Sequence, residues 1–457
     1  AEAYNNMGIA FKDQGKLEEA AIAYNKALTF KPDFNKAYIN LGIDLTGIFF
    51  KKPNKGLQKT ISSLLDKKLY VRPMNISVAA ISLLKFETSL QKQLKLGDDK
   101  VIQDPLDVIS ELDKLPLLRK LMSVCPLPDL ELENLFKKLR ASVLENFSSF
   151  KVSTELLSFM SALALQCFTN EYIYSQNKDE EKAINVLEKQ IKELLSNNEQ
   201  PSPLAILILA SYKALHKYDW CQSLIATNQI QDVFTRQVEE PNQEEKLKLN
   251  LPILEEISNK VSSKVREQYE ESPYPRWVNL RLRLEPAPIS KVVKEVQLKL
   301  HNEKINETKN PDILIAGCGT GQHSISTAAR FKSSKVLAID LSLSSLAYAN
   351  RKTKELAIKN IEYMQADILD LGKLNKQFDI IESVGVLHHM DNPMKGWQVL
   401  TDCLKPGGLM KIGLYSELAR QHIVKIKEEI RQTGIGSSDT EMRSFRDITK
   451  KSDKDHH

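Results

Sequence analysis

After Pro311 the hydrophobic pattern changes from helical to an alternation of strand and helix, and the first strand runs straight into three glycines. Asp312-Ile313-Leu314-Ile315-Ala316 is a short apolar run that ends in Gly317-Cys318-Gly319-Thr320-Gly321. A helical pattern follows from Gln322 to Phe331. Next come a second apolar run, Lys335 to Asp340, and a helix from Leu343 to Ala357. Further strands fit Ile361 to Gln365, Phe378 to Ser383 and Leu409 to Leu414. Alternation of this kind calls for a doubly wound α/β layer structure, a parallel sheet with helices on both faces.

In such sheets a nucleotide-like ligand binds at a strand-to-helix turn. Glycines there let the backbone approach the ligand and adopt positive φ. Asp340 ends the second strand, 23 residues after Gly317. An acid at that place accepts hydrogen bonds from ribose hydroxyls. Strand, glycines, helix and acid together predict an adenosine-containing cofactor. The structural alternative is a plain tight turn beside a solvated aspartate.

The residues that choose among such cofactors resemble the class I S-adenosylmethionine-dependent methyltransferase family over about 311–416. Gly317-x-Gly319-x-Gly321 has that family's spacing, whereas dinucleotide folds usually place the third glycine one residue later. Gln365-Ala366-Asp367-Ile368 stands where the family's acid contacts the adenine amino group. Phe378-Asp379-Ile380-Ile381-Glu382-Ser383, followed by Val386-Leu387-His388-His389-Met390, looks like the strand and loop that line the methyl-transfer site. Leu404-Lys405-Pro406-Gly407-Gly408-Leu409 looks like the turn into the fifth strand. The resemblance implies a Rossmann-like fold and S-adenosylmethionine as cofactor, held by Gly317, Gly319, Gly321, Asp340, Leu341, Asp367, Ile368 and Ser383. His388 and His389 sit where a general base would stand, because imidazole titrates near neutral pH. Catalysis by proximity alone is the competing reading. A nicotinamide enzyme is the alternative cofactor reading.

Tyr269-Glu270-Glu271-Ser272-Pro273-Tyr274-Pro275-Arg276-Trp277 lies just before this region. Prolines stiffen it and aromatics supply contact area at low entropic cost. By the resemblance it is a lid contributed by Tyr269, Tyr274, Arg276 and Trp277, with Arg276 facing the methionine carboxylate or an anionic substrate group. An interdomain buckle is the equal alternative. At the other end, one helix is expected from about Glu417 to Arg431. A polar stretch and a charged end through His457 follow, with no strand pattern. The family's sheet has seven strands, so the sequence is expected to lack the last two, as an interrupted chain would.

The front of the chain repeats. Tyr4, Met7, Gly8, Phe11, Ala20, Tyr24, Ala27 and Pro32 resemble a tetratricopeptide repeat position by position, and Tyr38, Leu41 and Gly42 restart it 34 residues later. Tyr4, Met7 and Phe11 are expected to face inward, Gly8 and Ala20 to let two helices approach, and Pro32 to stop the second. Lys51 to Gly56 reads as a turn. Roughly three repeats are needed to bury a continuous core, so more are expected upstream of Ala1. From Leu57 to Val265 helices follow one another between breakers at Pro105, Pro126, Pro128, Pro201, Pro203 and Pro241. Asn242 to Lys248 reads as a solvated segment, and His216 and Cys221 as core residues.

The resulting organisation is 1–55 helical repeats, 56–265 an α-solenoid or bundle continuing them, 266–310 a linker or lid, and 311–457 the α/β domain. Net charge is only +5 for 457 residues, which does not suggest a nucleic-acid clamp and does not exclude RNA. The apolar runs are too short for a membrane span. Five scattered cysteines form neither a zinc spacing nor a redox pair and suit reduced thiols in a cytoplasmic protein. No metal site is expected. The repeats read as a groove for a peptide, protein partner or protein substrate, with a helical spacer or dimerisation stalk as the equal alternative, and a small-molecule acceptor stays open. The non-enzyme alternative is a repeat scaffold whose sheet domain binds cofactor without turnover.

Overall fold

A computed structural model describes residues 1–95, 102, 104–436 and 438–451. The chain divides into two compact units, one comprising 1–241 with 277–281, the other 242–276 with 282–457.

The first unit is helical. Its opening pair, Glu2–Asp13 and Leu17–Phe30, packs through Gly8, where an added Cβ would lie 2.4 Å from the Tyr24 ring. Ala20 and Ala27 are fully buried, and the second helix stops at Lys31, just before Pro32. Tyr38, Leu41 and Gly42 repeat the inward face in helix Asn35–Asp44. Tyr4 and Phe11 pack against the core, but Met7 is 38% exposed and does not. Lys55 and Gly56 belong to the next helix, Lys55–Leu65, rather than to a turn, because Asn54 caps it by accepting from the Leu57 N–H. One apolar core continues from these helices through the fully buried Leu207–Ala210 to Val238. Cys221 is buried, as a core residue is, whereas His216 is half-buried and bonds the Gln237 carbonyl at 3.0 Å. Pro241 does not break a helix. It sits in the first turn of Glu240–Lys248, after π-helical Thr235–Glu239, where its missing N–H is tolerated. Trp277–Arg281 returns to this unit, with Asn279 Nδ2 donating to the Leu65 carbonyl at 2.8 Å.

The second unit is a five-stranded parallel sheet: β1 (Asp312–Ala316), β2 (Lys335–Asp340), β3 (Ile361–Gln365), β4 (Phe378–Val384) and β5 (Leu404–Gly413), in the order β3-β2-β1-β4-β5. The order reverses beside β1, which is where such sheets open a crevice at their strand ends. β1 and β4 are buried along almost their whole length, as central strands of a parallel sheet are, although β4 carries Asp379 and Glu382 among its apolar residues. β5 starts earlier than its sequence suggests: Lys405 to Gly408 lie within the strand, with an irregular register against Phe378–Ile380. Helix Gln421–Thr433 covers most of the expected C-terminal helix. A further helix, Asp439–Lys451, forms where only a charged end was expected. Among the described residues there is no sixth or seventh strand. Residues 452–457, including His456 and His457, lie outside the described residues.

Residues 242–265, grouped by sequence with the preceding helices, belong to this unit. Glu244 is buried, not solvated, and accepts from Arg351 Nε at 2.7 Å, while Leu247 packs against the sheet core. No helix among the described residues is long and apolar enough to cross a membrane.

Candidate functional site

The glycine loop leaves the end of β1 and opens helix Gln322–Arg330. Gly317, Gly319 and Gly321 all have positive φ, +75°, +51° and +87°. Close packing adds a second constraint at Gly321, where a Cβ would sit 2.6 Å from Ala349 Cβ and 3.1 Å from its Cα. The Gly317 and Cys318 N–H groups donate to the Ile339 carbonyl, tying the loop to β2.

Asp340 ends β2 with its carboxylate turned to this loop. Its Oδ2 accepts the Gly319 N–H at 2.7 Å and its Oδ1 the Ser342 N–H at 3.0 Å. Burial raises its pKa, opposed by these backbone donors and assisted by nearby Glu270. Each oxygen keeps a lone pair for a further donor. Asp367, 4% exposed, follows β3 and caps the short helix Ile368–Leu374 through the Leu369 N–H.

Gly317, Gly319, Asp340, Leu341, Asp367 and Ile368 line one cavity of about 320 Å³, with Tyr269, Tyr274 and His389. Gly321 and Ser383 do not line it. Ser383 is fully buried on β4, and its Oγ has no hydrogen-bond partner among the described residues. His388 stands behind His389. Their Nε2 atoms are 3.1 Å apart, and the His388 ring lies 4.0 Å from the Tyr415 ring. Burial lowers both imidazole pKa values. His389 and Arg420 add to this at His388, as Lys427 and Arg420 do at His389. Both rings are therefore neutral at pH 7 and able to accept a proton.

The aromatic-proline segment is fastened to the loop: Thr320 Oγ1 donates to the Pro275 carbonyl at 2.7 Å and Ser342 Oγ to the Tyr269 carbonyl at 3.0 Å. Glu270 accepts the Leu343 and Ser344 N–H groups at the start of helix Leu343–Glu355, a favourable place for an anion. Arg276 lies 5.9 Å from the Tyr348 ring and does not line the cavity. Trp277 is buried in the first unit.

Sequence reasoning passed over a polar cluster at this site. Glu382, 3% exposed on β4, accepts from His323 Nε2 at 2.5 Å, Thr327 Oγ1 at 2.6 Å and Arg330 at 3.3 Å. Burial alone would raise this carboxyl, but these partners hold it down at about 2. His323 and Gln322 line the cavity. The available signals were an acid, Glu382, in the interior of a mostly apolar strand and a histidine two residues past the last glycine of the loop. Among the described residues no cluster of three or more metal-ligating side chains occurs.

A methyltransferase-domain family model matches residues 313–408, and a tetratricopeptide-repeat model matches residues 1–34. The chain joins a tetratricopeptide repeat to a methyltransferase domain. Over 121 residues this chain is 37% identical to an uncharacterized protein of Synechococcus sp., covering 26% of this chain and 29% of that one. Over 147 residues it is 26% identical to a mitochondrial ubiquinone biosynthesis O-methyltransferase of Dictyostelium discoideum, covering 28% and 45%. The matches thus span less than half of these relatives. Among solved structures, PKMT2 from Rickettsia typhi in complex with AdoHcy aligns at 23% identity and TM-score 0.27, over 31% of this chain and 27% of that one.

Proposed function

We propose that this protein transfers a methyl group from S-adenosylmethionine to a nucleophilic N, O, C or S acceptor, and that the acceptor is a protein or a protein-tethered molecule. The observation that carries the reading is the cavity itself. Side-chain-free backbone at Gly317 and Gly319 opens onto it, and two carboxylates, Asp340 and Asp367, face it from adjacent strand ends. A Cβ at Gly317 would collide with Val386 at 2.3 Å, so the loop holds its shape only as glycine.

Asp340 takes the ribose hydroxyls and Asp367 the purine edge, with Leu341 and Ile368 as apolar contacts. When bound, the cofactor supplies a methyl group already activated on a cationic sulfur. The protein's task is to place an acceptor lone pair in line and to exclude water. Tyr269 and Tyr274 cover the cavity. His389, backed by His388, takes up the acceptor's proton as a neutral imidazole. The repeat at 1–34 supports a protein acceptor through the peptide-binding use of such helical arrays. Five buried free thiols support a reducing, cytoplasmic setting.

The test is incubation with tritiated S-adenosylmethionine and a fractionated cell extract. Label in the protein fraction that disappears in an Asp340→Ala variant supports the proposal. Label confined to RNA or metabolites would move the acceptor to that class. Cofactor binding without any transfer would leave a scaffold.

A further inference from the structure

Strand order gives the cavity two sides. Asp340 and Asp367 face it from the ends of β2 and β3, on one side of β1. On the other side β4 and β5 end. There Val384, His389 and Met390, which follow or close β4, line the cavity with Tyr415, which follows β5. Tyr415 is 54% exposed and stands at the mouth.

Tyr415 is tied to the histidines on one hand and to a cation on the other. The His388 ring lies 4.0 Å from the Tyr415 ring and 4.2 Å from His389. The Arg420 guanidinium lies 3.8 Å from the centre of the Tyr415 ring. It does not line the cavity, so the stack runs from the cavity wall out to its rim. An arginine laid against an aromatic ring is held in one plane, and its fork of donors matches a carboxylate or a phosphate.

This guanidinium has no anion of its own. Among the described residues no carboxylate comes within ion-pair distance of Arg420, nor of Lys427 in helix Gln421–Thr433; Asp391, two residues after His389, pairs with neither. Arg431 of the same helix, by contrast, is held by Glu428 at 2.7 Å. Both unpaired cations bear on the cavity. The His389 imidazole pKa is lowered by burial first, then by Lys427 and Arg420. The nucleoside side is thus acidic and the acceptor side is rimmed by positive charge.

We infer that the acceptor carries an anionic group, a carboxylate or a phosphate, which Arg420 grips at the rim while the methylated atom reaches past Tyr415 to His389. The inference deepens the S-adenosylmethionine reading above and rests on it. The transfer keeps its balance. The S–CH3 bond breaks with its electron pair left on sulfur, the acceptor lone pair takes the methyl, and the acceptor's proton goes to His389. Arg420 binds and orients the acceptor, and Lys427 adds charge.

The experiment is calorimetric binding of benzoate, phenyl phosphate and neutral benzamide to the full chain saturated with S-adenosylhomocysteine. It is run at about 0.15 M salt, which screens charges farther than about 8 Å away. The wild type should bind at least one of the anions about tenfold or more tighter than benzamide, the scale of one charge-assisted hydrogen bond. Preference for benzoate or for phenyl phosphate tells which anion the acceptor carries. Arg420→Ala should abolish the preference while keeping affinity for benzamide and for S-adenosylhomocysteine within about twofold, which reports that the variant is folded. Arg431→Ala removes the same charge from the neighbouring helix and should leave the preference intact. The inference is overturned if the wild type binds neither anion better than benzamide, if Arg420→Ala keeps the preference, or if Arg431→Ala loses as much of it. A wild type that does not bind S-adenosylhomocysteine overturns the cofactor reading, whereas one that binds it and shows no preference for an anion overturns this inference alone.

Discussion

Replacing Gly321 with alanine tests the loop most sharply. Its φ of +87° costs a residue with a Cβ about 1–2 kcal/mol. The new methyl would also meet Ala349 at 2.6 Å from Cβ and 3.1 Å from the helix backbone, which cannot turn aside as a flexible side chain can. Overpacking of this kind costs about 1–3 kcal/mol more, giving a total of about 2–5 kcal/mol. Gly319→Ala is the matched control. It shares the positive φ, but the nearest atom to its Cβ is the Tyr274 carbonyl oxygen at 3.7 Å. It should cost the fold no more than about 2 kcal/mol and act on the ligand, because Gly319 lines the cavity. Since the chain has two compact units, one unfolding midpoint would mix them. Hydrogen exchange at the β1 amides Ile313 to Ala316 reads the second unit alone. Gly321→Ala should speed that exchange roughly 30-fold or more. Gly319→Ala should change exchange far less while weakening S-adenosylhomocysteine binding at least about tenfold. Wild-type exchange in Gly321→Ala, or a larger loss in Gly319→Ala, would refute the reasoning.

Other consequences are equally concrete. Glu382 is held at about 2, below its unfolded value of 4.5, so its stabilisation is complete above pH 4.5 and is lost as pH falls toward 2. The full difference is about 3 kcal/mol; the stability gap between wild type and Glu382→Gln, read by β1 exchange, should narrow across that range, and a constant gap would count against the cluster. Arg351→Met takes from buried Glu244 its guanidinium partner at 2.7 Å and should cost about 3–5 kcal/mol in the exchange of helix Leu343–Glu355; a change under about 1 kcal/mol would mean the pair is unimportant. A double His388→Ala, His389→Ala variant should keep cofactor affinity and lose turnover. The lowered imidazole pKa values place the acid limb of wild-type turnover below pH 6.5. Undiminished turnover in the double variant would leave proximity as the whole mechanism.

Much of the second unit is legible because both faces of its central strands are buried. Ile313 to Ala316 and, on β4, Phe378, Ile380 and Ile381 are then apolar, which marks them against amphipathic helices such as Leu343–Glu355. The glycine loop is legible for a different reason, since three positive-φ residues in five leave few alternatives to glycine. Asp340 and Asp367 follow from where those strands end. Partner-dependent features are not legible. Glu244 looks like one more charge in a polar segment until Arg351 is placed against it. His323 and Glu382 are 59 residues apart and meet only through the pairing of β1 with β4. Met7 follows the helical period yet stays exposed, because periodicity names a face and not its neighbour. Arg276 and Trp277 adjoin Tyr274 in sequence but leave the cavity, as the chain departs there for the first unit.

The central claim is that the two carboxylates and the glycine loop hold one nucleoside. A crystal structure of the full chain grown with S-adenosylhomocysteine tests it most directly. The predicted density places both ribose hydroxyls within hydrogen-bond distance of Asp340 and the purine beside Asp367 and Ile368. An ordered crystal with that cavity empty, or with the nucleoside bound elsewhere, would contradict it.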